Sequence, residues 1–263
     1  MASVTVLTHV YKNQRGISCD STMLMEISSS GFGDLAMKVL HIESSSQHET
    51  MEFARKNAAN FLSLANLLMG LLSVLCTLNG MWQCSAWLLL FGFMLDLADG
   101  AVARQLNTCS ALGAKLDDFA DFTSFGLATA LLLHTSGFLD ALLVVVYVLA
   151  VFTRLCFYSS GIPFMYRGLP CTYASAILAC ASLLTGNHTV LLRMIAVIMI
   201  FFMIDQGIYP HDKILESQLW KKMVFAGGVI AMLCSFSPLA CLYHLVWSLS
   251  YILFPEALWS FKV

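Results

Sequence analysis

Asp96, Asp99, Asp117, Asp118 and Asp121 stand within the stretch LDLADGAVARQLNTCSALGAKLDDFADFTSFG, which otherwise reads as two lipid-compatible helices. A carboxylate at the centre of a membrane helix costs at least a few kcal/mol, so this group requires a chemical reason. At about 100° per residue, Asp96, Asp99, Gly100 and Ala103 share one face of the first helix, and Gly113, Asp117, Asp121 and Ser124 share one face of the second. Eight residues connect Arg104 to Gly113, which brings both acidic faces to the same membrane side and aims four carboxylates at one cavity. Asp118 points about 100° away from Asp117, toward solvent, a neighbouring helix or Lys115, and is left out of the site.

Four anionic oxygen donors packed together repel one another unless cations neutralise them. Hard divalent ions such as Mg²⁺ or Mn²⁺ accept all-oxygen donors and leave positions for phosphate oxygens. Two such ions can clamp the attacking and leaving oxygens of a phosphoryl transfer. Gly100, Ala103 and Gly113 remove side-chain bulk where a nucleotide would approach, and Arg104 offers a fork of donors to phosphate. Carboxylates in membrane helices also pair with basic residues or line an ion or proton path. Arg104 and Lys115, the basic residues nearby in sequence, are too few to pair four acids.

The elements that must position these groups are membrane helices. The chain has 263 residues, 59% hydrophobic and 11% charged, with a mean hydropathy of +0.77. A soluble domain is roughly 45–50% apolar and about 25% charged. A net charge of -2 and no basic stripe with interleaved aromatics exclude a nucleic-acid partner; the partner implied by composition is membrane lipid. Spanning the hydrocarbon takes about 20 apolar residues, and eight segments qualify, near 60–78, 82–104, 112–133, 138–158, 171–186, 189–206, 222–236 and 239–255. The fold class expected is all-α, a polytopic transmembrane helix bundle.

Residues 1–50 are polar and Ser-rich and are expected to form a mobile N-terminal arm; residues 51–59 alternate apolar and basic positions, as an interfacial amphipathic helix would. A catalytic membrane domain follows over 60–206, then a cytosolic loop and two C-terminal membrane helices over 207–263. Arg55, Lys56, Arg104, Lys115, Arg154, Arg167, Lys213, Lys221, Lys222 and Lys262 fall at one set of helix ends and Arg193 at the other, which makes the acidic side cytosolic. The nine scattered cysteines, without metal-ligand spacing, read as reduced, small core hydrophobes. His134, His188, His211 and His244 read as interface residues, and Trp82, Trp87, Trp220, Trp247 and Trp259 mostly as an interfacial belt.

The run Asp96-Leu97-Ala98-Asp99-Gly100-Ala101-Val102-Ala103-Arg104, then eight residues, Gly113, three residues, Asp117, three residues and Asp121 matches every fixed position of D-x-x-D-G-x-x-A-R-x8-G-x3-D-x3-D. The chain thereby resembles the CDP-alcohol phosphatidyltransferases. The resemblance implies that Asp96, Asp99, Asp117 and Asp121 hold two divalent cations, Mg²⁺ or Mn²⁺, and that Asp121 is the base activating an acceptor hydroxyl. It also implies that Gly100, Arg104 and Gly113 line the CDP site, that CDP-diacylglycerol donates its phosphatidyl group to an alcohol with loss of CMP, and that the protein is a homodimer. The endoplasmic reticulum is the expected membrane.

Likeness to the bacterial and archaeal type of phosphatidylserine synthase extends over about residues 60–215. Asn60-Phe-Leu-Ser63-Leu-Ala-Asn66-Leu-Leu-Met-Gly70 is similar to that group's P-N-x-x-T-x-x-N-x-x-x-G run, with Ala59 and Ser63 replacing Pro and Thr. Ser124-Phe125-Gly126, Arg167-Gly168-Leu169-Pro170 and Tyr209-Pro210-His211 resemble its S-F-G, G-L-P and Y-P elements. The group's R-L-A-R-F-N run is here Arg154-Leu155-Cys156-Phe157-Tyr158-Ser159, lacking the second arginine and the asparagine. Arg154 is either a snorkelling interface residue or a cation for the acceptor's carboxylate. Serine is therefore the first acceptor to test. The alternatives are an inactive relative acting as a lipid- or nucleotide-binding scaffold, and a carboxylate-lined cation transporter, which the glycine and arginine placements fit less well.

Overall fold

The computed structural model describes residues 32–133, 137–158, 165–210, 218–234 and 237–259. The chain forms two compact units, residues 1–54 and 55–263. Most of the arm expected over 1–50, from Met1 to Gly31, lies outside the described residues; from Phe32 onward the chain is helical. Helix α1 runs Phe32–Leu78 and so takes in residues 51–59 as well. A helix once nucleated gains one hydrogen bond per added residue, which lets a Ser-rich stretch of weak periodicity continue it.

The remaining elements are α2 (Trp82–Gln105), α3 (Ala111–Asp121), a π-helical segment (Phe122–Ala128), α4 (Thr129–Leu132), α5 (Phe138–Thr153) with a π turn at Arg154–Tyr158, β1 (Met165–Arg167), α6 (Cys171–Thr185), α7 (Thr189–Ile204), β2 (Ile208–Pro210), α8 (Leu219–Cys234), α9 (Pro238–Leu253) and α10 (Pro255–Trp259). Counting α3 through α4 as one span, the described residues form the eight-span helical bundle expected from hydropathy. Thr50–Leu78, Trp82–Gln105 and Phe138–Phe157 are long and apolar enough to cross a membrane. The apolar helices α6, α7 and α9 are shorter. At 1.5 Å per residue a 15-residue helix rises only about 22 Å, less than the hydrocarbon thickness.

How α6 is accommodated follows from its surroundings. Every residue from Cys171 to Ser182 is buried, chiefly against α2 and α9. Small side chains at Ala174, Ser175, Ala176, Ala179, Cys180 and Ala181 let neighbouring backbones approach closely. Irregular backbone at membrane depth is tolerated where protein covers it and supplies hydrogen-bond partners, and the chain entering α6 finds such partners. β1 pairs antiparallel with β2, Arg167 opposite Ile208; the Gly168 N–H donates to Gly207 (2.8 Å) and the Leu169 N–H to Phe202 (2.9 Å). This two-stranded ribbon is an addition to the all-α architecture. Behind it Tyr173 stacks on Tyr251 at 3.9 Å, and the Tyr251 hydroxyl donates to the Pro210 carbonyl. At the opposite end of the bundle the Asp140–Arg193 ion pair, at 2.7 Å, ties α5 to α7.

Several expectations for single residues are corrected by this packing. His244 is fully buried rather than interfacial: its Nδ1 meets the Ala240 carbonyl at 2.8 Å, and the ring lies among Phe93, Tyr243 and Trp247. A neutral imidazole that bonds the carbonyl one turn back needs no water for that nitrogen. Trp247 and Trp259 are buried too, not in an interfacial belt. Cys84, Cys109 and Cys156 are exposed, against the expectation of core cysteines, whereas Cys171, Cys180 and Cys241 are buried. His134 and His211 lie outside the described residues.

Gly168 has φ +70°, and a Cβ there would sit 2.3 Å from the Met203 carbonyl oxygen. Gly168→Ala should therefore lose about 2–5 kcal/mol, the left-handed penalty plus overpacking. Thermal denaturation in detergent, compared with Gly137→Ala in open space, checks this; equal midpoints for the two variants would refute it.

Candidate active site

Asp99 and Ser63 show how the hairpin of α1 and α2 prepares its acidic end. Ser63 Oγ donates to Asp99 Oδ2 at 2.6 Å, with both residues buried; a hydrogen bond to a charged acceptor contributes about 1.5–3 kcal/mol. One and two turns farther along α1, Asn66 and Gly70 fix the next contacts. A Cβ on Gly92 would meet Asn66 Oδ1 at 2.9 Å, and one on Gly70 would lie 2.3 Å from Ser124 Oγ. Ser124 Oγ in turn donates to the Asn66 carbonyl at 3.0 Å. These close approaches lock α1 against α2 and against the π-helical segment that follows Asp121.

Helix α3 starts at a side-chain cap, with Ser110 Oγ accepting from the Gly113 N–H at 3.0 Å. Gly113 also lets α1 come near, since a Cβ would sit 3.0 Å from Asn60 Oδ1. From this start the helix brings Asp117 and Asp121 to the acidic face of α2. One oxygen each from Asp96, Asp99 and Asp117 lies within 4.8 Å of the others, and Asp121 lies beside them, near enough for its charge to act on Asp96. Asp118 is exposed and stands outside this group, with Arg154 as a charged neighbour. Arg104 folds over Gly100, whose Cβ would be 3.0 Å from Nη1, and its charge reaches Asp99.

Four carboxylates gathered this closely repel one another, and a divalent ion between them relieves that repulsion. Ligands sharing one Mg²⁺ at about 2.0–2.1 Å lie about 2.9–4.2 Å apart in octahedral geometry, and oxygens within 4.8 Å of one another come close to that spacing. The donor set is entirely oxygen, suited to Mg²⁺ or Mn²⁺ and not to thiolate-seeking metals.

Arg154 and Cys171 complete the surroundings. Arg154 is buried and donates from Nη1 to Cys171 Sγ at 3.3 Å, so it is not a snorkelling interface residue. Cys171, the first residue of α6, contacts Asp121 Oδ2 at 3.8 Å. Cys171 is buried, as expected of a core cysteine, but it also borders the site; its position directly after the G-L-P turn is the signal for that second role. Ser63 was visible as a substituted motif threonine, though not its bond to Asp99.

The family model for CDP-alcohol phosphatidyltransferase matches residues 56–256. The chain belongs to this family. It is 50% identical over 210 residues to Transmembrane protein 269 of Mus musculus, covering 80% of this chain and 83% of the relative. Transmembrane protein 269 of Homo sapiens is also 50% identical, over 74% of this chain and 96% of the relative. CDP-diacylglycerol--serine O-phosphatidyltransferase of Bacillus subtilis is 28% identical over 161 residues, 58% of this chain and 89% of that protein.

Because Ser63 orients a carboxylate rather than facing the cavity alone, Ser63→Ala should weaken divalent-ion binding about 10–100-fold, the usual effect of removing a group that orients a ligand. Ser63→Thr should retain it. Mn²⁺ titration followed by electron paramagnetic resonance on purified protein reads this directly; unchanged affinity in Ser63→Ala would detach the serine from the metal site.

Proposed function

We propose that the chain transfers a phosphatidyl group from CDP-diacylglycerol to an alcohol, serine being the first acceptor to test, at the endoplasmic reticulum membrane with its site open to the cytosol. The observation that carries this reading is the convergence of the four motif aspartates between α2 and α3. Asp96, Asp99, Asp117 and Asp121 would hold two divalent ions, which supply charge neutralisation for the pyrophosphate and the departing CMP. Asp121 accepts the proton of the acceptor hydroxyl. The acceptor oxygen then bonds to the phosphorus that carries diacylglycerol, the bond from that phosphorus to the bridging oxygen breaks, and CMP leaves with the electron pair. Gly100 and Gly113 admit the nucleotide, and Arg104 donates to phosphate.

Serine is supported by the Bacillus subtilis relative's name and by Arg154, a buried cation linked through Cys171 to Asp121. The basic residues at the acidic end support the cytosolic orientation, and family membership supports a homodimer. The missing second arginine and asparagine after Leu155 favour the other reading, a relative that binds nucleotide or lipid without turnover.

The test is CMP release by purified protein given CDP-diacylglycerol, Mg²⁺ or Mn²⁺, and separately serine, glycerol-3-phosphate, inositol or a phosphatidyl lipid. Release with serine supports the reading; binding of the nucleotide lipid without release under any condition supports the scaffold. Asp121→Asn should lower turnover by at least about 10²–10⁴-fold, the loss of a general base, while Asp118→Asn retains most activity. Equal loss in both would contradict the assigned helix faces, once expression and melting are matched. Arg154→Gln should raise the serine KM about 10–100-fold, the worth of a charged hydrogen bond. An unchanged KM removes Arg154 from the acceptor site.

A further inference from the structure

The end of the α1–α2 hairpin remote from the acidic cluster is built with unusual definition. Asn79 and Gly80 form the turn, and Gly80 has φ +74°. The Met81 N–H donates to the Cys76 carbonyl at 2.8 Å and the Gly80 N–H to the Thr77 carbonyl at 2.9 Å, the paired bonds of a Schellman cap. Ser73, Thr77 and Ser85 then join the helices: Ser73 Oγ donates to the Ser85 carbonyl at 3.1 Å, and Thr77 Oγ1 donates to Ser85 Oγ at 2.7 Å. This register sets Cys76, in the last turn of α1, opposite Cys84, in the first turn of α2. Their thiols are close neighbours, near enough for each to act on the other. Cys84 is exposed and Cys76 half-buried, and both lie within one turn of the helix ends at Leu78 and Trp82, where the hairpin meets the membrane surface.

We propose that Cys76 and Cys84 are a redox pair that closes to a disulfide across the α1–α2 hairpin when it meets a disulfide-bearing oxidant on the membrane side opposite the acidic site. The Cys84 thiolate attacks one sulfur of the oxidant, whose other sulfur leaves as a thiolate. Cys76 then attacks the sulfur of Cys84 in the mixed disulfide and expels the oxidant's second sulfur. Two protons are released from the protein thiols, the oxidant becomes a dithiol or two thiols, and one sulfur–sulfur bond joins the helices. The side assignment rests on the cytosolic orientation proposed for the acidic end, since thiols on the other side of an endoplasmic reticulum membrane meet an oxidising milieu. The pairing itself rests only on the hairpin.

The full-length protein is isolated from membranes after rapid alkylation of free thiols and digested without reductant. The same digestion follows treatment of detergent-purified protein with oxidised glutathione. The Cys76–Cys84 linked peptide is expected in both samples, lost on reduction and absent in Cys84→Ser. The melting midpoint should shift upward on oxidation in the wild type and not in Cys84→Ser. Absence of the linked peptide from both samples overturns the proposal. A peptide found only after glutathione treatment overturns the disulfide as a native feature. Labelling Cys84 with a membrane-impermeant maleimide in a Cys76→Ser variant, from each side in turn, then tells whether the orientation failed. Labelling from the acidic side alone assigns the failure to the topology; labelling from the opposite side alone assigns it to the pair.

Discussion

Repulsion among like charges in a poorly polarisable setting is the constraint on which the bundle is organised. Two unit charges 4 Å apart interact with about 4 kcal/mol at an effective dielectric of 20, and three carboxylate oxygens here lie within 4.8 Å of one another with a fourth acid beside them. Left to itself such a group would push α2 and α3 apart. The contacts that prevent this are close and local: the Ser63 hydroxyl on Asp99, Gly70 against Ser124, and Asn66 over Gly92. Each needs a small residue at the point of approach. The site is therefore held by backbone proximity more than by long side chains, which suits a cluster whose charge changes as cations and substrate come and go.

Helix α6 supplies the counterweight. It is buried along nearly its whole length and begins at Cys171, beside Asp121. The positive end of its dipole thus meets a carboxylate, an interaction of roughly 0.3–1 kcal/mol at an exposed site and more when partly buried. The ribbon of β1 and β2 and the bonds at Gly168 and Leu169 give the chain entering this helix backbone partners inside the protein. A helix too short to cross the hydrocarbon becomes the core of the bundle because the longer helices around it face the lipid. Phe138, Leu139, Leu142, Val145, Leu149 and Phe152 on α5 are exposed in that sense.

The eight spans were legible because apolar runs and glycine- or proline-marked turns are properties of the sequence alone, and the aspartate motif was legible because its spacing matches two helix faces. Residues whose roles depend on a partner from another helix were not. His244 near a helix start looked interfacial, yet α9 packs inward there and Ala240 provides the acceptor. Cys171 resembles its apolar neighbours in sequence, and only the fold sets Arg154 and Asp121 around it. The helical extension from Phe32 was hidden because polarity reports what cannot be buried, not what can continue an existing helix.

The π-helical segment from Phe122 to Ala128 was the deepest omission, and it explains how one span serves two neighbours. Reading faces at a constant 100° per residue assumes an unbroken α-helix, and nothing in Phe122-Thr-Ser-Phe-Gly-Leu-Ala128 announces the change of pitch. A π-helix inserts extra residues into the turn and alters the phase of everything beyond it. Before it, Asp117 and Asp121 face the acids of α2. Within it, Ser124 turns to the Asn66 carbonyl on α1. After it, Thr129 bonds both the Ser124 carbonyl at 3.2 Å and Ser175 on α6 at 2.6 Å. The hydroxyl of Thr129 thereby satisfies a carbonyl at the wider pitch while anchoring the end of the span to the central helix. An uninterrupted α-helix would hold one phase throughout; the change of pitch lets the polar half of this span face the site while its far half enters the core.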